Sequence, residues 1–316
     1  MNRWRHARAL LPGLLTAAAW ATQAASLPLC DRPSTLTATQ QDRLLRFAAV
    51  ARGQLDNSGQ RVALVARSGL DLSRFAVRYS HAGISLLDSG NTPWSVRQLY
   101  YACDAQQPRL FDQGLAGFVM GTDDPSIGFL SILLLPAGAA AAVEQTALNK
   151  PHALRLLAAR YSANAYPYSL RYQNCNQWVM ELLASAWGGL VSSDDTRDDT
   201  RDETRDETRA RARAQAWLAA AGYAPAPVQV GSHWLMAAAG FIPWVHLDDH
   251  PDADRFALQL RTSLPDAMAQ FVRQRLPGTQ HIELCHNAQQ VVVRQGWRPL
   301  AAGCVAEPGD AVVALD

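Results

Sequence analysis

The chain has 316 residues, which is enough for one large or two small globular domains with a substantial hydrophobic core. Its formal net charge is only +1, from 29 basic and 28 acidic residues. This balance argues against a nucleic-acid partner, and it gives no acidic bias toward cationic partners.

The first 25 residues have the features of a secretory signal peptide. Basic residues, among them Arg3 and Arg5, precede an apolar stretch at 9–21 that is too short to span a bilayer comfortably, and small residues at 24–26 suit cleavage. An uncleaved N-terminal anchor is the alternative. No later segment is long and apolar enough for a membrane helix. We therefore expect a mature chain in the periplasm or outside the cell, with no transmembrane helix.

Residues 26–191 show patterns of both helices and strands. A helix is predicted at 39–52, where Thr39 would cap the helix and Asp42 would complete a capping box. Apolar and branched runs of strand length predict further strands, and apolar residues at helix spacing predict further helices. The strands are predicted at 61–66, 80–87, 94–101 and 127–135, and the helices at 139–148, 153–161 and 175–187.

A charged low-complexity segment follows at 192–213. Copies of one tetrapeptide, Thr-Arg-Asp followed by Asp or Glu, begin at Thr196, Thr200 and Thr204. A period of four places arginines and acids on neighbouring stripes of a solvated helix. No side of that helix would be apolar enough to face a hydrophobic core. We interpret the segment as an insert between two halves of the fold. A charged docking arm is the alternative.

Residues 214–316 form a C-terminal α+β part that we expect to be packed on residues 26–191. Its helices are predicted at 214–221, 231–239 and 263–275, and its strands at 241–247, 281–285 and 290–295. The whole pattern predicts an α+β fold, with an antiparallel sheet packed against helices.

The chain has five cysteines. In an oxidising compartment cysteines form disulfides, and an odd number leaves one of them unpaired. Cys285 and Cys304 flank a predicted hairpin, so we predict that they pair. Cys30 and Cys103 would then pair by elimination. Cys175 is left as the free thiol, and the alternative is a buried core cysteine without a chemical role.

Cys175 stands at the start of the predicted helix 175–187. The unpaired backbone N–H groups and the positive end of the helix dipole favour a thiolate there, so the thiol pKa should fall. His81 is the candidate partner. On its strand it shares a face with Gly83 and Ser85, and we expect that face to meet the helix of Cys175, with Gly83 leaving space for a substrate. The alternative is a histidine that makes structural hydrogen bonds only.

A rival constellation lies at 246–252, where two histidines and three acids occur close together. Histidines four residues apart would share one face of a helix and could bind zinc there. Pro251 and the preceding strand pattern instead indicate a loop, in which this spacing does not bring the two histidines together. His281, Glu283 and Cys285 share a strand face, but the predicted disulfide removes that cysteine as a ligand. No phosphate-binding loop is present. We therefore predict neither a metal site nor a cofactor.

The chain resembles two families. The segments 111–115 and 172–178 are similar to an uncharacterised bacterial family, domain of unknown function 2145, and this resemblance covers the whole mature chain. A second resemblance, over about 120 residues, is to the circularly permuted papain-like fold of NlpC-type cysteine peptidases, in which the histidine precedes the cysteine. It rests on 61–66, 69–72, 80–84 and 174–178. The C-terminal part would be an extension of that compact domain.

The NlpC-type resemblance implies a thiol hydrolase of the amidase or peptidase kind. Cys175 would attack an amide or ester carbonyl, and His81 would take the thiol proton and deliver it to the leaving group. The Cys175 N–H, with Gln173 or Asn174, would stabilise the oxyanion, and Gln98 would orient His81. Export implies a cell-envelope peptide or an acyl group as substrate.

Two hypotheses without catalysis compete with this one. An envelope binding protein that keeps the cleft would use Asn174, Asn176, Gln177 and nearby aromatic residues as ligand contacts. A purely structural secreted protein would hold Cys175 buried and inert. Thiol reactivity discriminates among the three, because a binding protein has no need for a depressed cysteine pKa.

Overall fold

The computed structural model describes residues 36–191 and 203–315. Most of its strands belong to one sheet. The strands are β1 (Val62–Arg67), β2 (His81–Leu86), β3 (Ser95–Ala102), β4 (Gln107–Gln113), β5 (Gly128–Leu134), β6 (Val228–Gln229), β7 (Gln259–Leu260), β8 (Gln280–His286), β9 (Gln290–Gln295) and β10 (Ala311–Ala314).

The main sheet has eight strands in the order β10-β9-β8-β5-β1-β2-β3-β4, and all neighbours are antiparallel. β6 and β7 form a separate pair. The pairing of β5 with β8 joins the N-terminal and C-terminal halves of the chain in one sheet. The predicted α+β fold with an antiparallel sheet packed against helices is therefore confirmed.

Helices pack on both faces of the sheet. They are α1 (Ala38–Asp56), α2 (Leu115–Met120), α3 (Ala137–Leu148), α4 (Lys150–Arg155), α5 (Cys175–Trp187), α6 (Glu203–Ala220), α7 (His233–Ala239), α8 (Asp252–Phe256) and α9 (Pro265–Arg275). On one face, α5 shares a hydrophobic core with Ala82 and Ile84 of β2. On the other face, α1 and α2 form a second core with Val65 and Val96. The sheet is thus buried on both sides near β2.

The first helix begins earlier than predicted. Its cap is Thr37, whose hydroxyl accepts the Gln40 N–H at 3.3 Å while the Gln40 side chain accepts the Thr37 N–H at 2.9 Å. The predicted box of Thr39 and Asp42 is wrong, since Asp42 lies within the helix and pairs with Arg46 at 2.9 Å.

Two predicted elements differ more strongly. The helix predicted at 153–161 is α4, which starts at Lys150 because Asn149 caps it and Pro151 occupies its first turn. The predicted strand at 241–247 consists of turns, in which the N–H groups of Phe241 and Ile242 bond to carbonyls three residues earlier. β4 and β10 were not predicted.

The end of the charged segment is part of the core. Arg211 of α6 is only 1% exposed, and its Nε donates to Glu181 Oε2 of α5 at 2.9 Å. Gln215 donates to the same carboxylate at 2.7 Å. The expectation that residues 192–213 have no side facing a core is wrong at Ala210 and Arg211, because one side of α6 packs on α5.

A disulfide joins Cys285 of β8 to Cys304. Cys103 is also disulfide-bonded; the predicted partner, Cys30, lies outside the described residues, as do the predicted signal peptide and residues 192–202. Within the described residues, no helix combines the length and the apolar composition needed to cross a membrane.

Candidate functional site

Cys175 is the first residue of α5, and its position is fixed by the residue before it. The Asn174 side chain accepts the Gln177 N–H at 2.7 Å, as a helix cap does, and donates to Thr262 Oγ1 at 2.8 Å. Cys175 is a free cysteine and is only 6% exposed. The chain therefore holds one unpaired thiol at a helix start among its described residues.

The thiol lies in a mixed environment. Backbone hydrogen bonds from Asn176, Ala82 and Cys175 itself favour the thiolate, and so does the positive charge of Arg67. Burial acts against all of them and raises the pKa of the Cys175 thiol to about 12. The expectation of a lowered pKa is thus not met in this structure, because the desolvation of the thiolate outweighs the helix start.

His81, the first residue of β2, is held by two glutamines in series. Its Nε2 lies 2.7 Å from Gln98 Oε1, and Gln98 Nε2 donates to Gln113 Oε1 at 2.7 Å. Because Gln98 directs its oxygen to the ring, His81 Nε2 carries the proton. Nδ1 makes no hydrogen bond to any residue that the structure describes, and it is free to accept a proton.

The ring of His81 is neutral at ordinary pH. Burial is the largest cause that lowers the pKa of His81, the charge of Arg67 adds to it, and the result is about 3. Two aromatic rings contact the imidazole, those of Tyr100 at 4.6 Å and Phe118 at 5.9 Å between centroids.

His81 and Cys175 approach each other from opposite faces of the sheet. Ala82 and Ile84 of β2 pack against α5 on one face of the sheet. The His81 ring packs with Phe118 of α2 on the other face. The expectation that the His81 face meets the helix of Cys175 is therefore wrong. The two residues still line one cavity of about 70 Å³ at the end of the sheet. No hydrogen bond joins them, although both are described.

Gly83 does not leave space for a substrate. A Cβ at this position would lie 3.0 Å from the Arg97 carbonyl oxygen and would collide with Val96. The glycine instead allows β3 to approach β2 closely.

Most of the predicted polar contacts around Cys175 have structural partners. Gln173 donates to the Leu156 carbonyl at 2.8 Å and to Glu181 at 2.6 Å, and Gln177 also donates to Glu181, at 3.1 Å. Asn174 caps the helix. These three side chains are therefore committed to holding the segment before α5 and its first turns.

Asn176 is the exception among the predicted contacts, because it lines the cavity beside Cys175. Its Nδ2 donates to the carbonyls of Ser80, at 3.2 Å, and Ser263, at 3.0 Å. Its Oδ1 is buried and has no hydrogen-bond partner among the described residues.

Arg67 is a cavity residue that the sequence analysis missed. It ends β1 directly opposite His81, and its side chain is buried. Its guanidinium donates to the Gly121 carbonyl and to the Tyr100 hydroxyl. The available signal was an arginine at the end of an apolar strand, but its place opposite His81 depends on the strand register.

The loop at 246–252 serves the site indirectly. His246 stacks on Tyr172 at 4.4 Å, and Asp249 accepts the Tyr166 N–H at 2.9 Å. These contacts attach the loop to the segment that leads to Cys175. Within residues 36–191 and 203–315, no group of three or more histidine, cysteine, aspartate or glutamate residues is arranged to hold a metal ion.

The family model described as an uncharacterized protein conserved in bacteria, DUF2145, matches residues 54–272. No curated protein and no solved structure matches the chain. The family match spans more than half of the sequence, includes both His81 and Cys175, and agrees with the resemblance drawn from the segments 111–115 and 172–178. The chain therefore belongs to the bacterial family DUF2145.

Proposed function

We propose that this protein is an exported thiol hydrolase with a papain-like arrangement, which transfers an acyl group from an amide or ester to water. One observation carries the proposal. The free thiol of Cys175, surrounded by backbone N–H donors, lines the same cavity as a histidine that a glutamine holds in the tautomer of a general base. Such a nucleophile, base and orienting group are the parts that nucleophilic catalysis requires.

In the proposed reaction, the Cys175 sulfur attacks the carbonyl carbon while its proton passes to His81 Nδ1. The backbone N–H groups around the sulfur stabilise the oxyanion of the tetrahedral intermediate. The intermediate expels an amine or alcohol, which takes the proton back from Nδ1, and leaves a thioester on Cys175. Water, deprotonated by His81, then hydrolyses the thioester and releases the free thiol.

The proton transfer needs a closer approach than the structure has. Catalytic hydrogen bonds are often long before substrate binds and shorten in the reactive complex. A cavity of about 70 Å³ admits only a few atoms, so a terminal group of the substrate is what can reach the thiol. A cell-envelope peptide end or a small acyl ester fits this limit, and the predicted signal peptide would place the enzyme in the periplasm or outside the cell.

A non-catalytic binding or structural role is the second candidate. The raised pKa of Cys175 and the missing hydrogen bond to His81 favour it, because both describe an inert, buried thiol. In that case Asn176 and Arg67 would hold a ligand without any covalent step.

Acyl-enzyme trapping separates the two candidates. The mature protein is mixed with p-nitrophenyl acetate or with cell-wall peptides, quenched in acid, and analysed by mass spectrometry of the peptide that contains Cys175. We expect an acyl adduct on Cys175 in the wild type, none in Cys175→Ala, and far less in His81→Gln. Ser185→Ala, on α5 away from the cavity, is the matched control. Turnover that survives Cys175→Ala would reject the proposal.

A further inference from the structure

Arg67 is a buried cation that has no carboxylate partner in the described part of the chain. Four arginines of the described chain are buried, and three of them have an acidic partner: Arg97 with Asp112, Arg211 with Glu181, and Arg294 with Asp310. Arg67 is only 4% exposed and forms no ion pair with any described residue. A buried charge that lacks a counter-charge is costly.

The guanidinium is held in place by neutral groups only. It donates to the carbonyls of Ser68 and Gly121 and to the Tyr100 hydroxyl, and Nε has no partner among the described residues although it is buried. Gly69 and Gly121 make the room, since a Cβ at either position would collide with the guanidinium. The fold therefore fixes a cation and leaves one of its donors unused.

A second residue with an unpartnered buried polar atom lines the same cavity. Asn176 Oδ1 is a buried acceptor that has no donor within residues 36–191 and 203–315, and Asn176, Arg67 and Cys175 all line the cavity of about 70 Å³. The exposed carboxylate of Asp123 feels the charge of Arg67 but makes no ion pair with it. The cavity thus offers a cationic donor and a neutral acceptor. Its volume is enough for a carboxylate group and the few atoms next to it.

We infer that the cavity beside Cys175 is a carboxylate-binding site in which Arg67 is the partner of the anion. Resting on the proposed function, this names the substrate class as acyl compounds that carry a carboxylate close to the carbonyl that Cys175 attacks. A peptide that ends in a free carboxylate belongs to this class. Asn176 Oδ1 then accepts an N–H next to that carboxylate.

The selectivity of Cys175 toward two alkylating reagents tests the inference. Iodoacetate and iodoacetamide have nearly the same shape, but only iodoacetate carries a carboxylate. The ratio of their rates at Cys175, divided by the same ratio for glutathione, is measured in the wild type, Arg67→Gln and Arg109→Gln. We expect Arg67→Gln to lower this ratio about tenfold, as loss of one buried charge-assisted hydrogen bond would. Arg109→Gln, which removes a positive charge from the exposed side of β4 outside the cavity, should retain it.

Two results would overturn the inference. If Arg67→Gln slows both reagents equally, Arg67 acts on the thiolate and not on a bound anion. If Arg67→Gln changes neither rate, Arg67 acts on neither reagent and the cavity does not select anions. Because the readout is alkylation and not turnover, a protein without hydrolase activity would still give a decisive ratio.

A ligand experiment covers the case in which Arg67→Gln does not fold. Sodium formate should protect Cys175 of the wild type from iodoacetamide in a concentration-dependent manner, whereas formamide, its neutral counterpart of similar size, should not. Sodium chloride at equal ionic strength controls for salt. Equal protection by formate and formamide, or no protection by formate, would contradict a carboxylate site.

Discussion

His81 Nε2 lies 2.7 Å from Gln98 Oε1, and this contact decides which ring nitrogen is available for chemistry. The second glutamine, Gln113, accepts a hydrogen bond from Gln98 Nε2 and so fixes the orientation of the Gln98 side-chain amide. The proton therefore stays on Nε2, and Nδ1 is the basic atom. The orientation of His81 depends on two neighbouring strands and not on Cys175.

The first prediction concerns acid stability. The pKa of His81 is lowered from 6.5 to about 3 in the folded protein, mainly by burial, so the unfolded chain binds its proton first as the pH falls. The free energy of unfolding should thus decrease as the pH falls from 6.5 to about 3, by about 1.4 kcal/mol per pH unit from this one group.

Urea denaturation at a series of pH values measures this slope. His81→Gln should have a shallower decrease than the wild type, by the contribution of one proton. His233→Gln, on the exposed side of α7, is the matched control and should keep the wild-type slope. Parallel curves for wild type and His81→Gln would show that His81 titrates normally in the folded state.

The second prediction concerns the buried ion pair between α5 and α6. Arg211→Ala leaves Glu181 buried without its cation, so we expect a loss of about 3–5 kcal/mol in the free energy of unfolding. Arg209→Ala, two residues earlier on the exposed side of α6, should cost less than about 0.5 kcal/mol. Chemical denaturation of both variants gives the comparison. Similar losses would mean that α6 does not pack on α5 in this way.

The third prediction concerns the disulfide that closes the C-terminal strands. The paired cysteines are 19 residues apart, and opening a loop of that length costs about 3 kcal/mol in the chain-entropy account. The double variant Cys285→Ala with Cys304→Ala should be less stable by that amount. Cys175→Ala removes a buried sulfur but no disulfide, and it controls for lost packing. Equal stability of the double variant and the wild type would contradict the prediction.

Local signals were sufficient where one segment determines its own structure. The helix 175–187 has the predicted bounds because Asn174 is a strong cap and an apolar run follows it. Thr37 and Thr39 carry the same capping signal two residues apart, and only the return bond from Gln40 selects Thr37. The prediction of a strand at 241–247 is wrong because the N–H groups of Phe241, Ile242 and Val245 bond to carbonyls three residues earlier and so form turns.

The site depends on contacts that are distant in sequence. Alternation along β2 assigns His81 and Ala82 to opposite faces, but it does not say which face meets α5, because both faces are buried. Arg67 reaches the site through the register of β1 and β2. Arg211 is one of many arginines in a charged segment, and its burial depends on Glu181, 30 residues earlier in the chain.

The central claim is that His81 accepts the proton of Cys175, and the pH dependence of iodoacetamide alkylation at Cys175 tests it most directly. Burial raises the pKa of the Cys175 thiol to about 12, so unassisted alkylation should rise about tenfold per pH unit between pH 6 and 9. We predict a nearly flat profile in the wild type, because His81 is neutral throughout this range and takes the proton as the sulfur attacks the reagent, and the steep profile in His81→Gln. Steep profiles with equal rates in both proteins would contradict the claim.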